Sequence, residues 1–271
     1  MWESVAVVGL HAFFMAVHRI GKIERKGGQP MYLRSLEILK ERADNTDRYP
    51  FHIPALRQLR RLEFRSRVTF LVGENGSGKS TLLEAIAYQC GFPSAGGGRN
   101  NQYEVERSES ALGPYVRLSW MPKTTNGFYL RAETFYHFAS HLDGIPESLP
   151  YYGGRSLHEQ SHGEAFLSLF RHRFGRKAIY LLDEPEAALS PARQLAFLRI
   201  MKDLEAEAQF IIATHSPILL GYPDAQIYDF DSSPVREIRY EDTMHYLVTR
   251  RFLENRRKVL AELFEDEADP A

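Results

Sequence analysis

The stretch VTFLVGENGSGKSTLLEAIA, Val68 to Ala87, decides how the rest of the chain is read. Val68-Thr69-Phe70-Leu71-Val72 is a short, continuous run rich in β-forming residues, the pattern of a buried strand, and Gly73 ends it. Leu82 to Tyr88 has helical character. Between them, Gly73-Glu74-Asn75-Gly76-Ser77-Gly78-Lys79-Ser80 fits G-x-x-x-x-G-K-[ST], in the strand-then-helix setting the pattern requires. Glycines let backbone amides turn inward and donate to crowded phosphate oxygens, and the helix N-terminus adds the positive end of its dipole. The candidate binding residues therefore run from Gly73 to Thr81, with Lys79 expected on the β- and γ-phosphates of a nucleotide and Ser80 on Mg²⁺.

Two later stretches acquire meaning from this loop. Ala178-Ile179-Tyr180-Leu181-Leu182 reads as another buried strand, and Asp183-Glu184-Pro185 follows it. An aspartate at such a strand end can hold a magnesium shell beside a phosphate loop. The adjacent Glu184 is then placed to polarise a water for attack on the γ-phosphate. Gln209 to Ala213 is a third buried strand, followed by Thr214-His215-Ser216-Pro217. His215 thus falls where the carboxyl edge of an α/β sheet meets its ligand, and is read as a γ-phosphate sensor.

The remaining chain fits an α/β class, with strands alternating with helices. Strands are expected at Arg34–Leu39, Tyr115–Trp120, Phe128–Ala132, Gln226–Phe230 and Val235–Tyr240. Ser190-Pro191 reads as an N-cap with proline at the first helical position, and Leu195, Leu198, Met201 and Leu204 are expected to form that helix's apolar face. A charged pair of helices should end the chain. Gly27-Gly28-Gln29-Pro30 marks a boundary, so residues 1–30 are read as an N-terminal extension, with Met31 a candidate first residue, and residues 31–271 as one domain.

Composition narrows the partners. A net charge of −1 gives no global basic field for nucleic acid, and one cysteine fits a reducing, cytoplasmic setting. No apolar run is long enough to span a membrane; Val5 to Val17 is too short and is interrupted by His11. The arginine-rich Leu56 to Arg67 (LRQLRRLEFRSR) can be a phosphate-backbone patch, although such runs are more often solvated faces.

Taken together, VGENGSGKSTLLEAIA, GGRSLHEQSHGEAF, LLDEPEAALSP and ATHSPIL resemble the small bacterial stand-alone ABC-type ATPases, relatives of SMC- and RecF-like heads. The resemblance runs from about Met31 to Phe264. It implies a P-loop NTPase fold, an ABC-type head with a mostly parallel sheet flanked by helices and an antiparallel β subdomain. It implies ATP and Mg²⁺ as ligands, with Lys79 and Ser80 on phosphate and metal, Asp183 ordering the metal, Glu184 as base and His215 on the γ-phosphate. It also makes Ser161-His162-Gly163-Glu164 a signature sequence. Ser161 and Gly163 would touch the nucleotide held by a partner subunit, so that ATP joins a head-to-tail homodimer, and Glu186-Ala187-Ala188-Leu189-Ser190 resembles the family's D-loop. The signature departs from the transporter form Leu-Ser-Gly-Gly-Gln, and no glutamine ends the strand before Ser161, where Glu133 is the nearest substitute. Three functions compete: a soluble ATP-driven switch with a protein client, the ATP-binding subunit of a transporter, and a DNA-repair or chromosome-associated head. The interval from Ser80 to Ser161 leaves no room for a long coiled-coil arm.

Overall fold

The computed structural model describes residues 31–93, 97, 110–124, 126–133, 135, 162–173, 175 and 177–265. The 1–30 extension and Ser161 lie outside these residues. Nine strands are found among them: β1 (Leu33–Ile38), β2 (Arg61–Glu63), β3 (Val68–Val72), β4 (Val116–Trp120), β5 (Gly127–Arg131), β6 (Ala178–Asp183), β7 (Ala208–Ala213), β8 (Gln226–Asp229) and β9 (Arg236–Ile238). The helices are α1 (Pro54–Gln58), α2 (Lys79–Cys90), α3 (His162–Arg173), α4 (Pro191–Leu204), α5 (Pro217–Leu220) and α6 (Met244–Glu265). The last is broken by a non-helical Asn255, so it is the helix pair expected from sequence.

The main sheet has the order β5-β6-β7-β3-β8-β9. All its pairings are parallel except β8 with β9. A second, antiparallel sheet has the order β2-β1-β4. The parallel strands carry apolar residues on both faces, as continuous runs require. Successive side chains point to opposite sides. Phe70, Leu130, Tyr180, Leu182, Phe210 and Ile212 therefore enter one core, with α3 and α4 against it. Leu71, Tyr129, Ile179, Leu181 and Ile211 enter the other, shared with α2 and the antiparallel sheet. Aromatic contacts bind the first core: Phe166 meets Phe170 at 4.7 Å between ring centroids, and Phe170 stacks on Phe197 at 4.4 Å. Phe166, Leu167 and Phe170 of α3 are all buried in this core.

Polar side chains fix the two sheets to one another. Buried Gln209 accepts from the Leu33 amide (2.8 Å) and donates to the Leu33 carbonyl (3.0 Å). Gln226 accepts from the Arg65 amide (3.0 Å), and the Tyr228 hydroxyl donates to the Glu63 carbonyl (2.6 Å). These bonds satisfy strand-edge groups that burial would otherwise leave without water.

One residue of a local reading is revised. On α4, Met201 is buried and Leu198 and Leu204 pack against the core as expected, together with Ala196, Phe197 and Ile200; Gln194 is also buried, whereas Leu195 is exposed. Ser190 has the extended backbone of an N-cap, but its side chain makes no capping bond. In the arginine-rich run, Arg61 lies 3.1 Å from Glu63 and Arg65 pairs with Glu237, so much of its charge is matched locally.

Candidate active site

The carboxyl ends of the parallel strands converge at the phosphate loop. β3 ends at Val72, whose carbonyl accepts from the Phe230 amide (2.8 Å), and the chain then turns through Gly73–Gly78 into α2. Gly76 (φ 82°) and Gly78 (φ 102°) hold left-handed conformations that side chains resist. At Gly78 the space is also closed, because a Cβ would sit 3.2 Å from both Ile53 and Leu56 of the segment behind the loop. At Gly76 nothing lies within 4 Å, leaving the loop's outer surface open. Buried Lys79 arches over its own loop and donates to the carbonyls of Gly73 (2.7 Å) and Glu74 (2.9 Å). Burial lowers its pKa, and the carboxylates of Glu184 and Asp183 act in the opposite direction.

β6 delivers the two acidic candidates. Ser80 donates through its hydroxyl to Asp183 Oδ1 at 3.1 Å, joining the first turn of α2 to the end of β6. Burial raises the Asp183 pKa to about 6, against the lowering effect of Arg131 and the Ser80 bond. Glu184 takes a left-handed backbone (φ 51°, ψ 50°), while its amide donates to the Ala213 carbonyl (2.9 Å). For a non-glycine residue this conformation costs on the order of 1–2 kcal/mol, so the surrounding bonds impose it. It turns the carboxylate toward His215, whose Nε2 lies 3.6 Å from Glu184 Oε1.

His215 is held by a buried network. Its amide donates to Glu186, the first residue of the Glu186–Ser190 stretch. The Ser216 hydroxyl accepts from the amides of Ile218 and Leu219 at the start of α5 and donates to Gln194, whose amide group reaches the Leu189 carbonyl (2.9 Å). The turn after β6 and the turn after β7 are therefore one cross-linked unit.

Lys79, Ser80, Asp183, Glu184 and His215 thus meet at one sheet edge, as their sequence positions implied. Gly163 belongs to a different neighbourhood. Its nearest surroundings are Arg193 and the Ala188 carbonyl; an added Cβ would sit 2.5 Å from the Arg193 guanidinium and 3.0 Å from that carbonyl. Glu164, beside it, lies 3.3 Å from Arg193. Glu133 lies 3.3 Å from Arg131 and is largely exposed.

Four further residues border the site and were not singled out from sequence. Arg131, at the end of β5, lies 2.6 Å from Glu84 and 3.7 Å from Asp183. Asp231 accepts from the Glu74 amide at 2.7 Å. Tyr49 reaches Thr81 Oγ1 at 3.2 Å and leaves its ring half exposed. His245, from α6, lies 2.9 Å from His215. The first two lie at or just past the carboxyl ends of parallel strands, so the rule that ligands meet carboxyl strand ends was the signal available for them.

Comparison with known proteins agrees with this arrangement. An "AAA domain" family model matches residues 52–131, and another, described as "AAA domain, putative AbiEii toxin, Type IV TA system", matches residues 165–221. The cytochrome c biogenesis ATP-binding export protein CcmA of Rhodopseudomonas palustris (strain BisB5) is 32% identical over 178 residues, covering 58% of this chain and 82% of that protein. The hemin import ATP-binding protein HmuV of Chelativorans sp. (strain BNC1) is 29% identical over 167 residues, 54% of this chain and 64% of that protein, so this chain spans less than two thirds of its length. The SMC head domain from Thermotoga maritima superposes with a TM-score of 0.42 at 18% identity, over 77% of this chain and 99% of that one. With the phosphate loop in one matched segment and Asp183, Glu184 and His215 in the other, the chain belongs to the ABC-type ATPases, enzymes that bind and hydrolyse ATP.

Proposed function

We propose that this chain, as one ATPase domain over residues 31–271, is a cytoplasmic ATP-driven switch: two copies close head-to-tail around ATP and open when it is hydrolysed. The observation that carries the reading is the meeting of Lys79, the Ser80–Asp183 pair and the Glu184–His215 pair at the ends of β3, β6 and β7. Lys79 exchanges the carbonyls of Gly73 and Glu74 for the β- and γ-phosphate oxygens, and the amides of Asn75 to Thr81, including that of Ser77, cradle the phosphates while Asp231 holds the Glu74 amide. Glu184 accepts a proton from water as the water oxygen bonds to the γ-phosphorus and the bond to the ADP oxygen breaks. His215 Nε2 donates to the γ-phosphate as its charge redistributes.

The donor set suits magnesium. Ser80 and Asp183 present hard oxygens within 3.1 Å of each other, and burial strains the Asp183 charge in a way that a cation relieves. Bound there, Mg²⁺ would neutralise phosphate charge. Ser161 and Gly163 are assigned to the nucleotide of the second copy, and a protein client is the load. Among the described residues no helix is long and apolar enough to cross a membrane. The roles of those two relatives, haemin import and export in cytochrome c biogenesis, favour a second reading as a transporter's ATP-binding subunit.

Steady-state hydrolysis and fluorescent-nucleotide binding test the roles. Lys79→Ala should lose ATP binding. Glu184→Gln should keep binding and lose at least about 100-fold in turnover, in line with the usual contribution of general acid–base catalysis. Retained turnover in Glu184→Gln would contradict the assignment of the base.

A further inference from the structure

His245 occupies the first turn of α6, and nothing near it in sequence belongs to the site. Its position is nevertheless tightly set. Thr243 accepts through its hydroxyl from the Tyr246 amide (3.3 Å), closing the start of the helix. The Tyr240 hydroxyl donates to the Pro217 carbonyl (3.0 Å), and the Tyr240 and Tyr246 rings meet at 4.6 Å. These contacts fasten the start of α6 to α5, the short helix that follows His215. They bring His245 Nε2 to 2.9 Å from His215 Nδ1, with the two rings tilted and their centroids 5.0 Å apart.

Two neutral imidazoles in such a pair share one N–H, and there are two ways to place it. If His215 Nδ1–H donates to His245, His215 Nε2 turns a bare lone pair toward the Glu184 carboxylate. His245 Nδ1–H is then a buried donor with no acceptor, since that atom has no hydrogen-bond partner among the described residues. If His245 Nε2–H donates to His215, His245 Nδ1 is only an unfilled acceptor, which burial tolerates better than an orphan donor. His215 then carries its proton on Nε2, a buried atom also without a hydrogen-bond partner among the described residues, 3.6 Å from the Glu184 carboxylate. Each arrangement leaves one ring N–H without a hydrogen-bond partner among the described residues; the second turns that N–H, rather than a lone pair, toward the Glu184 carboxylate, and the attraction of N–H for carboxylate selects it. Burial, then the neighbouring His215, keeps His245 below its ordinary pKa and hence neutral at pH 7, the form this bond requires.

We propose that His245 is a positioning residue: its Nε2–H donates to His215 Nδ1 and fixes His215 as the Nε2–H tautomer, ready to donate to the γ-phosphate. The register of α6 on α5 thereby becomes part of the ATPase machinery. The inference rests on the reading of His215 as a γ-phosphate donor, so His215→Ala belongs in the same experiment.

ATP turnover of the full chain would be compared for His245→Leu, His245→Gln and His215→Ala. His245→Leu should lower kcat about tenfold or more, the scale on which removing a group that orients a functional histidine acts, with KM for ATP within about twofold. His245→Gln, whose amide can donate from nearly the same point, should recover most of that loss. ¹⁵N NMR of histidine-labelled wild-type protein should show His215 as the Nε2–H tautomer, its signal identified by its absence in His215→Ala. If His215→Ala is impaired while His245→Leu turns over normally, or if Gln is no better than Leu, the positioning role is wrong and the site reading stands. An Nδ1–H tautomer at His215 in the wild type also overturns it, and decides the matter should the leucine variant fail to fold. If His215→Ala itself turns over normally, the donor reading fails and this inference with it.

Discussion

Asp183 is the residue at which burial and function conflict most openly. Its carboxylate is buried at the end of β6 with a pKa raised to about 6. For an acid whose folded pKa lies above its unfolded value, the native state holds more protons between the two, so its contribution to stability falls as pH rises through that window. Without metal or nucleotide, Asp183→Asn should therefore raise stability near pH 7.5 by on the order of 2–3 kcal/mol, and the gain should shrink to little by about pH 4. Thermal unfolding of both proteins across that range checks it; equal midpoints at pH 7.5 would contradict it. The same linkage expects Mg²⁺–ATP affinity to weaken below about pH 6, because proton and cation compete for one carboxylate. Glu184 adds backbone strain to this charge strain, through its left-handed conformation. Both costs concentrate where the sequence already pointed. Lys79, Ser80, Asp183, Glu184 and His215 were legible because each sits in a short motif whose spacing requires that residue type. Asp231, 157 residues from the amide it binds, had only its strand-end position to mark it, and His245, 30 residues from His215, had no local pattern at all.

At the scale of elements, the strands were legible because burial on both faces demands unbroken apolar runs, as in Val68–Val72 and Ala178–Leu182. Helix α4 was read correctly at Leu198, Met201 and Leu204 but not at Leu195, which is exposed. Its apolar residues cover more than one stripe, and Phe197, which stacks on Phe170 of α3, sets which of them face the core. The buried glutamines were equally silent in sequence, because their value lies in partners on another sheet. Gln209 makes two bonds to the Leu33 backbone, so Gln209→Leu should strip two buried backbone groups of partners and cost about 2–4 kcal/mol in denaturant unfolding. Gly163 is an element-scale joint as well. With Arg193 and the Ala188 carbonyl against it, a Gly163→Ala substitution forces the start of α3 away from the turn that also carries Glu186. Turnover should fall by at least about tenfold with ATP affinity kept, as when an orientation rather than a binding contact is lost. Unchanged turnover would place Gly163 outside the machinery.

For the whole molecule, the two cross-linked turns after β6 and β7, helix α3 and the phosphate loop form one body, and the proposed switch gives that body two states set by ATP. The loop from Gly73 to Ser80 and the start of α3, the two surfaces proposed to face nucleotide, lie in every copy, so a head-to-tail pair would use each twice and close on itself. Blocking hydrolysis while sparing binding should hold that closed form. The most direct test is multi-angle light scattering of Glu184→Gln with and without ATP and Mg²⁺. The account expects about twice the monomer mass of 31.2 kDa with ATP and Mg²⁺, and the monomer mass without nucleotide. A Glu184→Gln protein that binds ATP and still elutes at 31.2 kDa would contradict it.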